Sequence, residues 1–192
     1  MPEKAPSLAT GREMNALESS RTQEPTAYAE QFRQLVQVHG RPVARTLRYL
    51  GVRDADLEDA AQEVFVTAHR RWFELSHQES IGGWLRGVAV NVARNRRRHE
   101  ERSRRTFAPE LDEAVDPRLP EEALAERQRC RRLLRLLEAL PEEQRTVLVV
   151  FEVEGAPMKE VSELLGISLP TAYRRLQEAR DALRSAMTKE ER

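Results

Sequence analysis

The residues best suited to a defined chemistry lie in MKEVSELLGISLPTAYRRLQEAR, positions 158–180. The stretch has the form of a helix-turn-helix. Small Ser162 lets two helices approach, Gly166 turns the chain, Ile167 fills the space between them, and Ala172, Leu176 and Ala179 make the buried side of the second helix. The outward positions near that helix's start are then Thr171, Tyr173, Arg174, Arg175 and Gln177 or Glu178. Arginine pairs bidentately with guanine in the major groove, and a Thr or Tyr hydroxyl bonds phosphate. A plain αα-hairpin with a solvated charged face is the other reading, and the turn spacing separates the two better than the charges do.

Two further clusters carry charge. Residues 86–105 hold eight arginines against Glu100 and Glu101, a basic helix end that is either a solvated face or a surface for phosphate, whose contacts are salt-sensitive and largely sequence-independent. Residues 54–63 hold five acids and no base. Their helical spacing puts Glu58, Asp59, Gln62 and Glu63 on one face, which either stays in water or meets a basic protein surface. Metal and catalytic chemistry find no support. His39, His69, His77 and His99 are dispersed, no HxH, HExxH or CxxC spacing occurs, and Cys130 lies in a Leu/Arg-rich helix where a free thiol is usually filler. No phosphate loop or nucleophile elbow is present, so neither an enzyme, a metal, a cofactor nor a small-molecule substrate is expected.

The elements that must position these groups read as helices. The 192 residues are one-third charged, with aromatics at 5% and a mean hydropathy of −0.67; alternating Val/Ile/Thr runs are absent while Ala, Leu, Arg and Glu abound. No run approaches the roughly 18 apolar residues that span a bilayer, no secretory signal stands at the start, and a single cysteine points to a reducing cytoplasm. The formal net charge of zero is a cancellation, since residues 107–126 add seven acids against only Arg118.

The expected organisation is all-α, two small helical domains joined by a flexible acidic linker. Residues 1–26 read as a flexible tail without helical period, 27–105 as the first domain, 106–120 as the linker, 121–187 as the second domain and 188–192 as a C-terminal tail. Within the first domain, one helix from Ala29 is kinked or broken at Gly40 and Pro42 and capped by Gly51. A second runs from about Ala55 to Trp72 on the stripe Leu57, Ala61, Val64, Phe65, Ala68, Trp72. FELSHQESIGG, 73–83, reads as a loop, and a third helix starts near Trp84. In the second domain, a Leu-rich helix stops at Pro141, Pro141-Glu142-Glu143 starts the next, Glu154–Pro157 turns out of it, and Ser168 caps the last.

DLEDAAQEVFVTAHRRW, GGWLRGVAVNVARNRRR, LPEEQRTVLVVFEVEG and EVSELLGISLPTAYRRLQEARDAL resemble, in order and spacing, conserved regions 2 and 4 of bacterial RNA polymerase sigma factors of the extracytoplasmic-function group. The resemblance implies a soluble cytoplasmic initiation factor, nucleoid-associated in the holoenzyme, without membrane insertion. It implies that Glu58, Asp59, Gln62 and Glu63 dock on the clamp coiled coil of the largest subunit of core RNA polymerase. Leu75, His77, Gln78, Asn91, Arg94, Asn95, Arg97 and Arg98 engage and melt the minus-10 element of promoter DNA, capturing a flipped base. Ser168, Thr171, Tyr173, Arg174, Arg175 and Glu178 read the minus-35 element, and an anti-sigma factor restrains the protein. Pro170, Tyr173, Arg174 and Glu178 depart from the residues frequent in the family, as does Ala156-Pro157-Met158. An autonomous helix-turn-helix regulator is the alternative, and an all-helical scaffold a third reading.

Overall fold

The computed structural model describes residues 11–76, 80–103 and 121–190. Among them every regular element is helical: α1 Gly11–Tyr49, α2 Leu57–Arg70, α3 Trp72–Ser76, α4 Ile81–Ser103, α5 Glu121–Glu138, α6 Glu142–Leu148, α7 Met158–Leu165 and α8 Leu169–Glu190. A single 3₁₀ turn at Asp54–Asp56 leads into α2, and a wide π turn at Val149–Val153 follows α6. Packing divides the chain into two compact units, residues 1–40 and 41–192. In the first, Tyr28 and Phe32 stack with ring centroids 6.3 Å apart, and Arg33 pairs with Glu30.

Helix α1 departs from the sequence reading at two places. It includes residues 11–26, where no helical period was visible, because once a helix is nucleated each added residue brings its own hydrogen bond. It also continues through Gly40 and Pro42, so the expected break does not end it. Its C-terminus stops where the sequence says. Gly51, with φ at +92°, donates to Arg48 O, and Val52 N–H reaches back to Leu47 O, the paired bonds of a Schellman cap.

Helices lie on either side of 106–120; those of residues 41–103 and 121–190 belong to one unit, while residues 27–40, read from sequence as the start of the first domain, belong to the other. In the first helical group, residues 41–103, α2 packs on α4. Leu57, Ala60, Val64, Phe65 and Ala68 of α2 are buried together with Leu85, Ala89, Val90, Val92 and Ala93 of α4. The periodicity expected Ala61 in this stripe, but the inward position is Ala60. Arg71 ends α2, so Trp72 begins a separate short helix.

The segment 73–83 is not a plain loop. Residues 73–76 belong to α3, and α4 begins at Ile81 because Ser80 caps it, its Oγ accepting from Gly83 N–H at 3.0 Å. Residues 77–79 and the linker 106–120 lie outside the described residues.

In the second group, α6 and α7 pack on α8 around Val147, Val149, Val150, Val161, Ala172, Leu176 and Ala179. Pro141 stands just before α6 and Glu142 and Glu143 fill its first turn, as the sequence implied. The turn after it, with Gly155 at positive φ, leads to α7.

Candidate nucleic-acid interface

The α7–α8 pair is a helix-turn-helix with both ends of its turn satisfied. Gly166 takes φ +64°; its N–H bonds Glu163 O at 3.2 Å, and Ile167 N–H bonds Ser162 O at 3.0 Å. Ser168 then caps α8, its Oγ accepting from Thr171 N–H at 3.3 Å and lying 2.7 Å from Thr171 Oγ1. These bonds fix where the chain re-enters helix, and so the rotation of α8. Ala172, Leu176 and Ala179 are buried, as their spacing required. Tyr173 and Arg174 are therefore forced outward.

The six predicted reading positions divide by availability. Ser168, Tyr173 and Arg174 are exposed, Thr171 is half-buried, and Arg174 holds Glu178 along its own helix at 2.6 Å. Arg175 is different. Its side chain is only 18% exposed and bonds Glu143 of α6 at 2.5 Å, so it braces α8 against α6. Glu178 likewise accepts from Gln144 Nε2 at 3.1 Å.

On α2, Glu58, Asp59, Gln62 and Glu63 are all exposed on the face opposite the buried stripe. The structure brings these four together as one acidic patch. Glu63 reaches another element, its carboxylate lying 3.4 Å from Arg96 of α4.

The eight residues expected at the minus-10 element do not form one surface. Asn91, Asn95 and Arg98 are exposed at helical spacing and make one stripe on α4. Arg94 and Arg97 are half-buried. Arg94 pairs with Glu142 of α6 at 3.5 Å, and Arg97 Nη1 is buried with no hydrogen-bond partner among the described residues. Leu75 is a correction, because its side chain is 1% exposed and belongs to the core. The helical turn 72–76 rotates it inward. His77 and Gln78 lie outside the described residues. The same turn leaves Phe73 77% exposed, an aromatic face at the start of the segment that sequence reasoning passed over. Its signal was an aromatic that falls off the apolar stripe of the preceding helix. Nearby, the Arg71 guanidinium lies over the Trp84 ring, 5.8 Å from its centroid.

Sequence reasoning also missed Arg145. It is 2% exposed, and its Nη2 donates to Glu138 O at 2.8 Å and Leu140 O at 3.1 Å, while Nη1 reaches Leu50 O at 3.4 Å. It thus ties the ends of α5 and α1 to α6. Burial and the neighbouring Arg97 charge push its pKa down to about 10, with Glu138 and Glu142 acting the other way, so it stays cationic at neutral pH.

Among the described residues no group of three or more His, Cys, Asp or Glu could hold a metal ion, and no helix is long and apolar enough to cross a membrane. What the described surface offers is a helix-turn-helix with Tyr173 and Arg174 exposed on α8, a polar and basic α4 stripe and an acidic α2 patch.

Residues 35–103 match the family Sigma-70 region 2, and residues 130–183 match Sigma-70, region 4. The RNA polymerase sigma factor NccH of Alcaligenes xylosoxydans xylosoxydans is 27% identical over 79% of this chain and 84% of its own length. The ECF RNA polymerase sigma factor SigE of Mycolicibacterium smegmatis is 29% identical over 81% of this chain and 61% of its own. The chain spans only 34% of the "Probable RNA polymerase sigma factor RfaY" of Xanthomonas campestris, at 32% identity. Among solved structures, CnrH in complex with the cytosolic domain of CnrY superposes with a TM-score of 0.62 at 23% identity, covering 84% of this chain and 90% of that one. RpoE bound to the anti-sigma factor NepR from Bartonella quintana gives 0.62 at 16% identity, over 83% of this chain and 98% of that one. With both diagnostic regions matched in order and a helix-turn-helix closing the second, the chain belongs to the sigma-70 family, in its extracytoplasmic-function group.

Proposed function

We propose that this chain binds core RNA polymerase, gives it promoter choice and initiates transcription of a regulon. The observation that carries the reading is the division of the surface. An acidic α2 patch that phosphate would repel stands on the same helical group as the α4 stripe of Asn91, Asn95 and Arg98, while α8 presents Tyr173 and Arg174 beside a capped N-terminus. Protein and nucleic acid thus have separate landing sites. The acidic patch Glu58, Asp59, Gln62 and Glu63 docks on a basic surface of the polymerase clamp. The α4 stripe, with Arg94, Arg97, His77 and Gln78, engages the minus-10 element, and Phe73 supplies a flat face on which an unstacked base can sit. Ser168, Thr171, Tyr173 and Arg174 meet the minus-35 element, supported by Arg175 and Glu178. The modules are residues 27–105 and 121–187, with 106–120 linking them. An anti-sigma factor is the expected restraining partner, a reading supported by the similar fold of RpoE in its complex with the anti-sigma factor NepR.

Run-off transcription with core polymerase on genomic fragments, with the transcript starts sequenced, tests this reading and finds the promoter. Asp59→Lys with Glu63→Lys is expected to abolish core binding in a pull-down while leaving the circular dichroism melt in place. Unchanged core affinity refutes the docking assignment. Tight specific duplex binding without polymerase instead marks an autonomous regulator.

A further inference from the structure

The first turn of α6 reaches α8 through two consecutive side chains. Glu143 Oε2 lies 2.5 Å from Arg175 Nη2, and Gln144 Nε2 donates to Glu178 Oε2 at 3.1 Å. The other carboxylate oxygen of Glu178, Oε1, accepts from Arg174 Nη1 at 2.6 Å. A chain of hydrogen bonds therefore runs from α6 through Glu178 to an outward-facing arginine. Its outer end is solvated, with the Arg174 side chain 64% exposed, while Gln144 and Glu178 are half-buried.

An arginine and a glutamate four residues apart pair on many solvated helices, and the pair holds weakly because both side chains rotate. Gln144 adds what such a pair lacks. With one oxygen on Gln144 and the other on Arg174, the Glu178 carboxylate cannot turn without breaking a bond, and each bond polarises the next. Gln144 has a firm base, since Arg145, Thr146, Val147 and Leu148 that follow it in α6 are all buried. A guanidinium carries its five donors in one rigid plane. Holding Nη1 therefore sets the direction of that plane and leaves the remaining donors for the O6 and N7 of a guanine.

We infer that Gln144 is a positioning residue for promoter choice: through Glu178 it aims the Arg174 guanidinium, so a side chain of α6 sets how sharply α8 discriminates one base pair of the minus-35 element. The inference rests on the function proposed above. It separates the residue that reads, Arg174, from the two that orient it. Arg175 belongs to the other pair, with Glu143, whose task is to hold α8 to α6.

The test uses the full chain with core polymerase on the promoter found by run-off from genomic fragments, each minus-35 position randomised in turn and the transcripts sequenced. Arg174→Ala marks the base pair that Arg174 reads, as the position whose preference collapses. Gln144→Ala is expected to cut the preference at that same pair about fivefold, with every other position within about twofold of the wild type. Gln144→Glu keeps the size of the side chain and suits the first turn of a helix, yet it cannot donate, so the same loss is expected without a lower melting temperature. Gln144→Lys restores a donor and should restore the preference; a phosphate contact by the lysine cancels in a ratio between bases. Glu143→Ala, which frees Arg175, is the control for general loosening of α8 and should weaken all positions alike. Wild-type preferences in Gln144→Ala and Gln144→Glu, or a loss spread evenly over the element, overturn the positioning role. So does an Arg174→Ala holoenzyme with every preference intact. A wild type that directs no transcription overturns the proposed function, and this inference with it.

Discussion

Arg145 is a buried side chain that bonds three backbone carbonyls drawn from both helical groups. Its guanidinium is spread over carbonyls of Glu138, Leu140 and Leu50, the last two at the ends of different helical groups. Removing it orphans buried acceptors at about 1–3 kcal/mol each, so Arg145→Ala is expected to lower the urea midpoint strongly with little change in slope. Gly51 is bound to the same site. A Cβ there would lie 2.1 Å from Arg145 Nη1, and φ is +92°, so Gly51→Ala combines a clash with left-handed strain and should cost more than about 1 kcal/mol in the same experiment. At the surface proposed to meet the minus-35 element, Arg174→Ala should weaken binding by about 1–3 kcal/mol, with loss confined to promoters carrying the base that it reads. Arg175→Ala should lower the melting temperature as well, because Arg175 braces α8 through Glu143. Gly51, Gly166 and Ser168 were legible as caps. Arg145 was not, since an arginine in the first turns of a helix reads as solvated.

Whole elements followed the sequence wherever termination is local. The Gly166 turn is set by two backbone bonds and one left-handed residue, with open space around the position where a Cβ would stand. Gly166→Ala should therefore cost only the left-handed strain, about 1–2 kcal/mol, read as a melting shift without loss of helical signal. The same logic explains the errors. The loop expected over 73–83 shortened because Ser80 caps α4 four residues before Trp84, and a Ser among polar neighbours gives a weak signal. The separation of α2 from α3 moved Trp72 off the continuous stripe and turned Leu75 inward. Continuation of α1 through Pro42 had no sequence signal, because proline is read as a breaker.

At the scale of the molecule, zero net charge has two layers. The first was visible in sequence as acidic and basic blocks that cancel, an acidic α2 face against a basic α4. The second is spatial. Glu154 finds Thr46 across 108 positions and Glu160 finds Arg86 across 74, and these pairings bring the helical groups together. These bonds are part-buried, so each is less screened by water than an ion pair on the open surface. The sequence by itself determined the helical class, the caps, the helix-turn-helix and the acidic face, because periodicity and capping act between residues a few positions apart. Tertiary structure alone decided that Asn91, Asn95 and Arg98 stand free while Arg94 and Arg97 are covered, and that Arg145 is buried. Those outcomes depend on partners dozens of residues away, and no local period encodes which distant carboxylate or carbonyl a given arginine will meet.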